Sequence, residues 1–225
     1  TRMVETGSAD FALTNGVFVY YAQNSIAPFG EMKAENIRGV GPVSTSWFHM
    51  TVPRSSGIES YDDLEGKRVN YAAKGSSTEF MTRTIFEQMG INDTINKEYM
   101  NWAQAATAMV DGSIAAFSIP NPVPSPSVLQ AAASAPVKVL SLPGEVIDHF
   151  IDMNPGYYRD TVPPGSYAGM EDEGFETVAY GILATVNADV PEDVVYRVTK
   201  ATYDESSHDF LVNAFKSWNI GLKAS

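Results

Sequence analysis

Residues 56–79 read Ser-Gly-Ile-Glu-Ser-Tyr-Asp-Asp-Leu-Glu-Gly-Lys-Arg-Val-Asn-Tyr-Ala-Ala-Lys-Gly-Ser-Ser-Thr-Glu. This run predicts a capped turn ending at Gly66, then a strand, a polar glycine turn and a helix. Val69 to Ala73 is apolar enough for a buried strand, and Gly75-Ser76-Ser77-Thr78 follows its carboxyl end. Met81, Ile85 and Met89 recur at helical spacing, with Gly90 placed to end the helix. A strand that feeds a Ser/Thr turn into a helix N-terminus offers free N–H groups, hydroxyls and a favourable dipole to an anion. The same residues also serve as an ordinary helix cap, and residue types alone leave both readings open.

Working outward, strand and helix signals alternate, which predicts an α/β fold with mainly parallel strands. Phe11 to Thr14 reads as a strand and Val17 to Ala22 as a helix. Val40 to Val52 holds one or two strands. Asn101 and Gln104 form a capping box for a helix reaching Val110. Ile114 to Ile119 reads as a strand. Pro120 to Pro126 carries four prolines and predicts irregular structure. Val128 to Ser134 is a helix, Val137 to Leu142 a strand and Glu145 to Ile151 a helix. Thr177 to Val186 suits a long strand, and Pro191 opens a final helix.

Composition narrows the function. The 225 residues are 44% hydrophobic with a net charge of −12 and no cysteine. That charge argues against binding a phosphate backbone, which needs clustered Lys and Arg. The absence of cysteine excludes thiol catalysis and thiolate-ligated metals. No Gly-x-Ser-x-Gly, His-Glu-x-x-His or phosphate-loop pattern occurs. His49, His149 and His208 stand far apart in sequence, without metal-ligand spacing. Asp62-Asp63 and Glu171-Asp172-Glu173 have no calcium-loop spacing and read as solvated turns. Neither a catalytic residue, a metal site nor a cofactor is expected.

Several runs together resemble one family. They are Ser8-Ala9-Asp10-Phe11-Ala12-Leu13, the residues 56–79, Pro143-Gly144-Glu145-Val146-Ile147-Asp148, and Pro155-Gly156-Tyr157-Tyr158. Val162-Pro163-Pro164-Gly165-Ser166-Tyr167-Ala168-Gly169 and Val190-Pro191-Glu192-Asp193-Val194-Val195-Tyr196 complete the set. In this order they resemble the TAXI family, the solute receptors of one class of TRAP transporter. The resemblance implies a two-lobed, periplasmic-binding-protein-like (type II) α/β fold with two crossing hinge strands. Residues 1–46 plus 187–225 would form the first lobe, 54–177 the second, and 47–53 with 178–186 the hinge. The family's opening strand, Gly-Thr-Tyr loop and helix would precede Thr1, and a signal peptide would precede them in the precursor. The family's usual C-terminal segment is also missing after Ser225.

The implied function is capture of a small organic anion, an amino acid or a dicarboxylate such as glutamate or 2-oxoglutarate. A monomeric receptor would close around it in the periplasm and deliver it to the membrane-embedded TRAP permease. An enzyme or a ligand-sensing effector domain on the same fold is the alternative. In open α/β sheets ligands bind at the carboxyl ends of strands. The candidate ligand residues are therefore Asn15, then Thr45, Ser46 and Trp47, then Lys74, Gly75, Ser76, Ser77 and Thr78, and Asn121. The resemblance favours Asn15 and Ser76–Thr78. Trp47, Tyr20 and Tyr167 are candidate apolar walls.

Overall fold

The computed structural model describes residues 1–30 and 32–214. In chain order the elements are α1 (Arg2–Glu5), β1 (Phe11–Asn15), α2 (Gly16–Gln23), β2 (Ile37–Pro53), β3 (Arg68–Asn70), α3 (Ser77–Gln88), β4 (Asn96–Glu98) and α4 (Trp102–Val110). There follow β5 (Ala116–Asn121), α5 (Pro126–Ser134), β6 (Val137–Val139), α6 (Gly144–Met153), β7 (Tyr157–Val162), β8 (Phe175–Asn187), α7 (Glu192–Tyr203) and α8 (Glu205–Ala214). The chain divides into two units. The first comprises Thr1–Ser46, Met153–Tyr157 and the chain from Tyr180 on; the second comprises Trp47–Asp152 and Tyr158–Ala179. The long strands β2 and β8 each contribute residues to both units. Residues 215–225 of the expected first lobe lie outside the described residues.

In the first unit β1 runs antiparallel to β8, with Phe11 opposite Val186 and Asn15 opposite Ile182. Thr14 and Thr185 share a buried hydroxyl contact of 2.9 Å across this pair. Val4, Ala22, Ala34 and Ile37 form a small core. The Glu5 carboxylate ties down the entry to β2 by accepting the N–H groups of Glu35, Asn36 and Ile37 at 2.9–3.0 Å. A carboxylate taking three backbone donors satisfies groups that would otherwise need water.

The second unit carries the site. Its strand order is β2-β5-β3-β4, with β6 also on β2. β3 lies parallel to both β4 and β5, with Val69 opposite Ala116 and Asn70 opposite Phe117. β2 is antiparallel to β5 and β6. The expectation of mainly parallel strands is corrected by the pairs β1–β8, β2–β5 and β2–β6, which all run antiparallel. Phe117, Ile119, Val128, Ala131, Val139 and Phe175 are among the buried residues of one core cluster. Burying each large apolar side chain is worth about 1.5–3 kcal/mol.

Local chemistry explains where the elements depart from expectation. β3 ends at Asn70 rather than Ala73, because Ala72 adopts φ 62, outside any strand. Residues 40–52 belong to one 17-residue strand, β2. β5 continues through Pro120 and Asn121 into the proline segment. β3 pairs with β5 only as far as Phe117, so Pro120 falls where that edge has no strand in register. A missing N–H costs least there. The short strand β4 and the polar strand β7 had no alternating apolar signal to announce them.

Candidate ligand-binding site

The second unit brings seven of the ten candidate residues to neighbouring strand ends. β3 and β5 are adjacent and parallel, so their carboxyl ends lie together. The turn after β3 carries Lys74, Gly75, Ser76, Ser77 and Thr78 into α3. Asn121 ends β5 and is the cross-strand partner of Trp47 on β2. A buried hydroxyl chain joins the two ends: Thr82 on α3 donates to Ser118 Oγ at 2.7 Å, and Ser118 donates to the Asn70 carbonyl at 3.0 Å.

The first turn of α3 is partly occupied by its own cap. Ser76 is the N-cap, and its Oγ accepts the Glu79 N–H at 3.1 Å. The Glu79 carboxylate reaches back to the Gly75 N–H at 3.0 Å. Both readings of the turn therefore apply in part: the N–H of Gly75 and the acceptor face of Ser76 serve the helix. The amides of Ser77 and Thr78 remain in a turn where helical geometry supplies no carbonyl partner. Thr78 is 1% exposed, and its Oγ1 has no hydrogen-bond partner.

Asn70 belongs with these residues, and sequence reading missed it. Its Oδ1 accepts the Met100 N–H at 3.0 Å, which fixes the amide orientation. Its Nδ2 is buried without a partner. A buried polar group left unpaired costs about 1–3 kcal/mol. Asn70 Nδ2 and Thr78 Oγ1 are thus two unpartnered polar groups at the β3–α3 junction. The available signal was a polar residue inside the apolar run Val69–Ala73. Ala72, 3% exposed with φ 62, adds backbone strain to the same turn. Non-glycine residues there cost roughly 1–3 kcal/mol and concentrate at ligand clamps.

Lys74 supplies a positive charge. Its Nζ lies 4.8 Å from the centroid of the Tyr99 ring, a cation–π contact that holds the ammonium beside the turn. Trp47 is oriented by its indole N–H, which donates to Asp160 Oδ2 at 2.9 Å.

Tyr167 is not a wall. It is 3% exposed and bonded to His49, which is itself fully buried. His49 Nδ1 lies 2.8 Å from the Trp47 carbonyl and 3.1 Å from that of Ile119. Carbonyls only accept, so Nδ1 carries the proton and Nε2 accepts from the Tyr167 hydroxyl at 2.9 Å. Burial, opposed by the two backbone hydrogen bonds, holds the imidazole pKa down at about 4.

The first unit holds the other three candidates. Asn15 ends β1 and is the N-cap of α2, without a side-chain cap bond. Thr45 and Ser46 are buried on β2, and Ser46 hydrogen-bonds the Tyr180 phenol, whose pKa burial pushes up to about 12. The acidic turns serve the backbone: Asp63 accepts the N–H groups of Glu59 and Ser60, and Glu171 accepts that of Gly169. Both carboxyls are held below their usual range by these hydrogen bonds. Among the described residues no group of three His, Asp or Glu side chains is placed to hold a metal. No described helix is long and apolar enough to cross a membrane.

Residues 1–220 match the NMT1-like family. The chain belongs to that family. Among solved structures it is similar to the periplasmic aliphatic sulphonate binding protein SsuA of Escherichia coli. The TM-score is 0.54 at 18% identity, over 96% of this chain and 56% of that one. It is also similar to a structure from work on glutathione import via GshT and the cystine ABC importer TcyBC of Streptococcus mutans. There the TM-score is 0.56 at 12% identity, over 98% of this chain and 74% of that one. A periplasmic binding protein of Brucella ovis with glutathione bound matches with a TM-score of 0.51 at 12% identity, over 96% and 56%. These likenesses show the two-lobed periplasmic-binding-protein fold of type II expected from the sequence. The chain spans little more than half the length of the first of these structures.

Proposed function

We propose that this member of the NMT1-like family is a periplasmic solute-binding receptor that captures a small organic anion and does not transform it. One observation carries the reading. The β3–α3 junction presents two helix N-terminal amides, the unpartnered Thr78 hydroxyl, the unpartnered Asn70 Nδ2 and the Lys74 ammonium. Donors to a charged oxygen at a helix N-terminus are the inventory for a carboxylate. Thermal denaturation of the full-length protein with L-glutamate, 2-oxoglutarate and related acids tests it. The expected result is stabilisation by at least one acid, with no product detectable by mass spectrometry; steady product formation contradicts it.

The finer assignment is a TAXI receptor delivering its ligand to a TRAP permease. It is supported by the ordered runs from Ser8 to Tyr196, above all Pro163-Pro164-Gly165-Ser166-Tyr167-Ala168-Gly169. Two of the solved neighbours above come from ABC transport systems by their descriptions, and their low identity speaks to fold alone. Binding of the ligand-loaded receptor to a purified TRAP permease, and not to an ABC permease, is the outcome this assignment expects. In the same reading Asn15, Thr45 and Ser46 are ligand residues of the first unit, and 47–53 and 178–186 are hinge strands.

A further inference from the structure

The Pro-Pro-Gly-Ser-Tyr-x-Gly run contains a tyrosine, Tyr167, that is wired by hydrogen bonds toward one of the candidate ligand residues. The Tyr167 hydroxyl makes two contacts: it donates to His49 Nε2 at 2.9 Å and accepts the Ser125 N–H at 2.8 Å. Ser125 is completely buried and is the N-cap of α5. Its hydroxyl makes no cap bond; the side-chain amide of Asn121 lies 3.4 Å from it. His49 is held in turn by the carbonyls of Trp47 and Ile119, on the two strands that pair Trp47 with Asn121.

The proline segment therefore hangs from side chains. Pro120, Pro122, Pro124 and Pro126 have no N–H to give, so this stretch is poor in the backbone bonds that fix ordinary loops. Within it, Ser125 supplies a backbone donor, and that donor goes to a phenol. A phenol can accept this N–H and donate to an imidazole only while the imidazole nitrogen is unprotonated.

We propose that Tyr167, held by His49, is the positioning residue for Asn121 in the ligand site. The proposal rests on the receptor reading above. Through Ser125 it sets the place of the proline segment, and so the direction of the Asn121 amide opposite Trp47. Tyr167 touches no ligand; it acts through Ser125.

The test uses Tyr167→Phe, which removes one oxygen and keeps the ring, beside Asn121→Ala and the double variant, all in the full-length protein. In the ligand-free protein the NMR signals of the Ser125 amide and the Asn121 side-chain amide should move in Tyr167→Phe. With L-glutamate or 2-oxoglutarate as probe, Tyr167→Phe should weaken binding roughly five-fold or more, the value of one hydrogen bond. In the Asn121→Ala background the same change should have no further effect on affinity, because both substitutions remove one shared contact. A merely structural tyrosine would lower stability equally in both backgrounds and leave affinity alone. Unmoved amide signals, wild-type affinity in Tyr167→Phe, or losses that simply multiply in the double variant each overturn the proposal. The probe is whichever of these or the related acids stabilises the wild-type protein; wild-type affinity in Asn121→Ala, or binding of none of the acids, overturns the site reading and this proposal with it.

Discussion

Ser76 and Glu79 cap one another's end of α3. The Ser76 hydroxyl accepts the Glu79 N–H at 3.1 Å, while the Glu79 carboxylate returns to the N–H of Gly75, next to Ser76. Three polar side chains in a row, Ser76, Ser77 and Thr78, thus divide into different roles. Ser76→Ala should lower stability by about 1 kcal/mol, the usual value of an N-cap, and change ligand affinity little. Denaturant melts and ligand titration of the same sample check this. Loss of affinity with unchanged stability would reverse the assignment.

The neutral, buried His49 predicts a pH dependence. Its folded pKa of about 4 lies below the ordinary 6.5. Between these values the unfolded chain binds a proton that the folded chain does not, so stability falls as pH drops through 6.5 toward 4. The contribution is fully present above 6.5 and amounts to about 3 kcal/mol. Comparing wild type with His49→Gln by urea unfolding at pH 7.5 and pH 4.5 isolates it. The wild-type protein should lose more stability over that interval than the variant; equal losses would contradict the burial argument.

Gly169 explains the last glycine of the Pro-Pro-Gly-Ser-Tyr-x-Gly run. It has φ +96, and a Cβ there would lie 2.6 Å from the Val137 carbonyl oxygen and 2.8 Å from the Val137 nitrogen. Both are backbone atoms, and the Val137 N–H already bonds the Ala168 carbonyl at 3.0 Å. Gly169→Ala should therefore cost more than about 2 kcal/mol, combining strain with a backbone clash. A thermal midpoint within a degree of wild type would show that the turn relaxes freely.

The fold was legible where periodicity and capping speak locally. The Asn101–Gln104 capping box, Gly90 at φ 72 and the strand–turn–helix of residues 69–88 are all present. Strand direction was not legible, because the partners of β2 and β8 are set by long-range pairing that no local run encodes. The site was half legible. The Ser/Thr turn announced itself, but the split between cap and free hydroxyl depends on where Glu79 folds back. Asn70 stayed hidden and Tyr167 was read as an apolar wall, because their hydrogen bonds go to partners at residues 100, 49 and 125.

The central claim is that the start of α3 is built to hold a ligand rather than only to begin a helix. Thr78→Val tests it most directly. The Thr78 hydroxyl is buried without a partner, so an isosteric methyl removes an unmet polar group. Stability in denaturant should stay level or rise. Affinity for the bound organic anion should fall about ten-fold or more, because a hydrogen bond to a charged group is worth roughly 1.5–3 kcal/mol. Unchanged affinity together with unchanged stability would contradict the account, leaving this turn as a helix cap and nothing more.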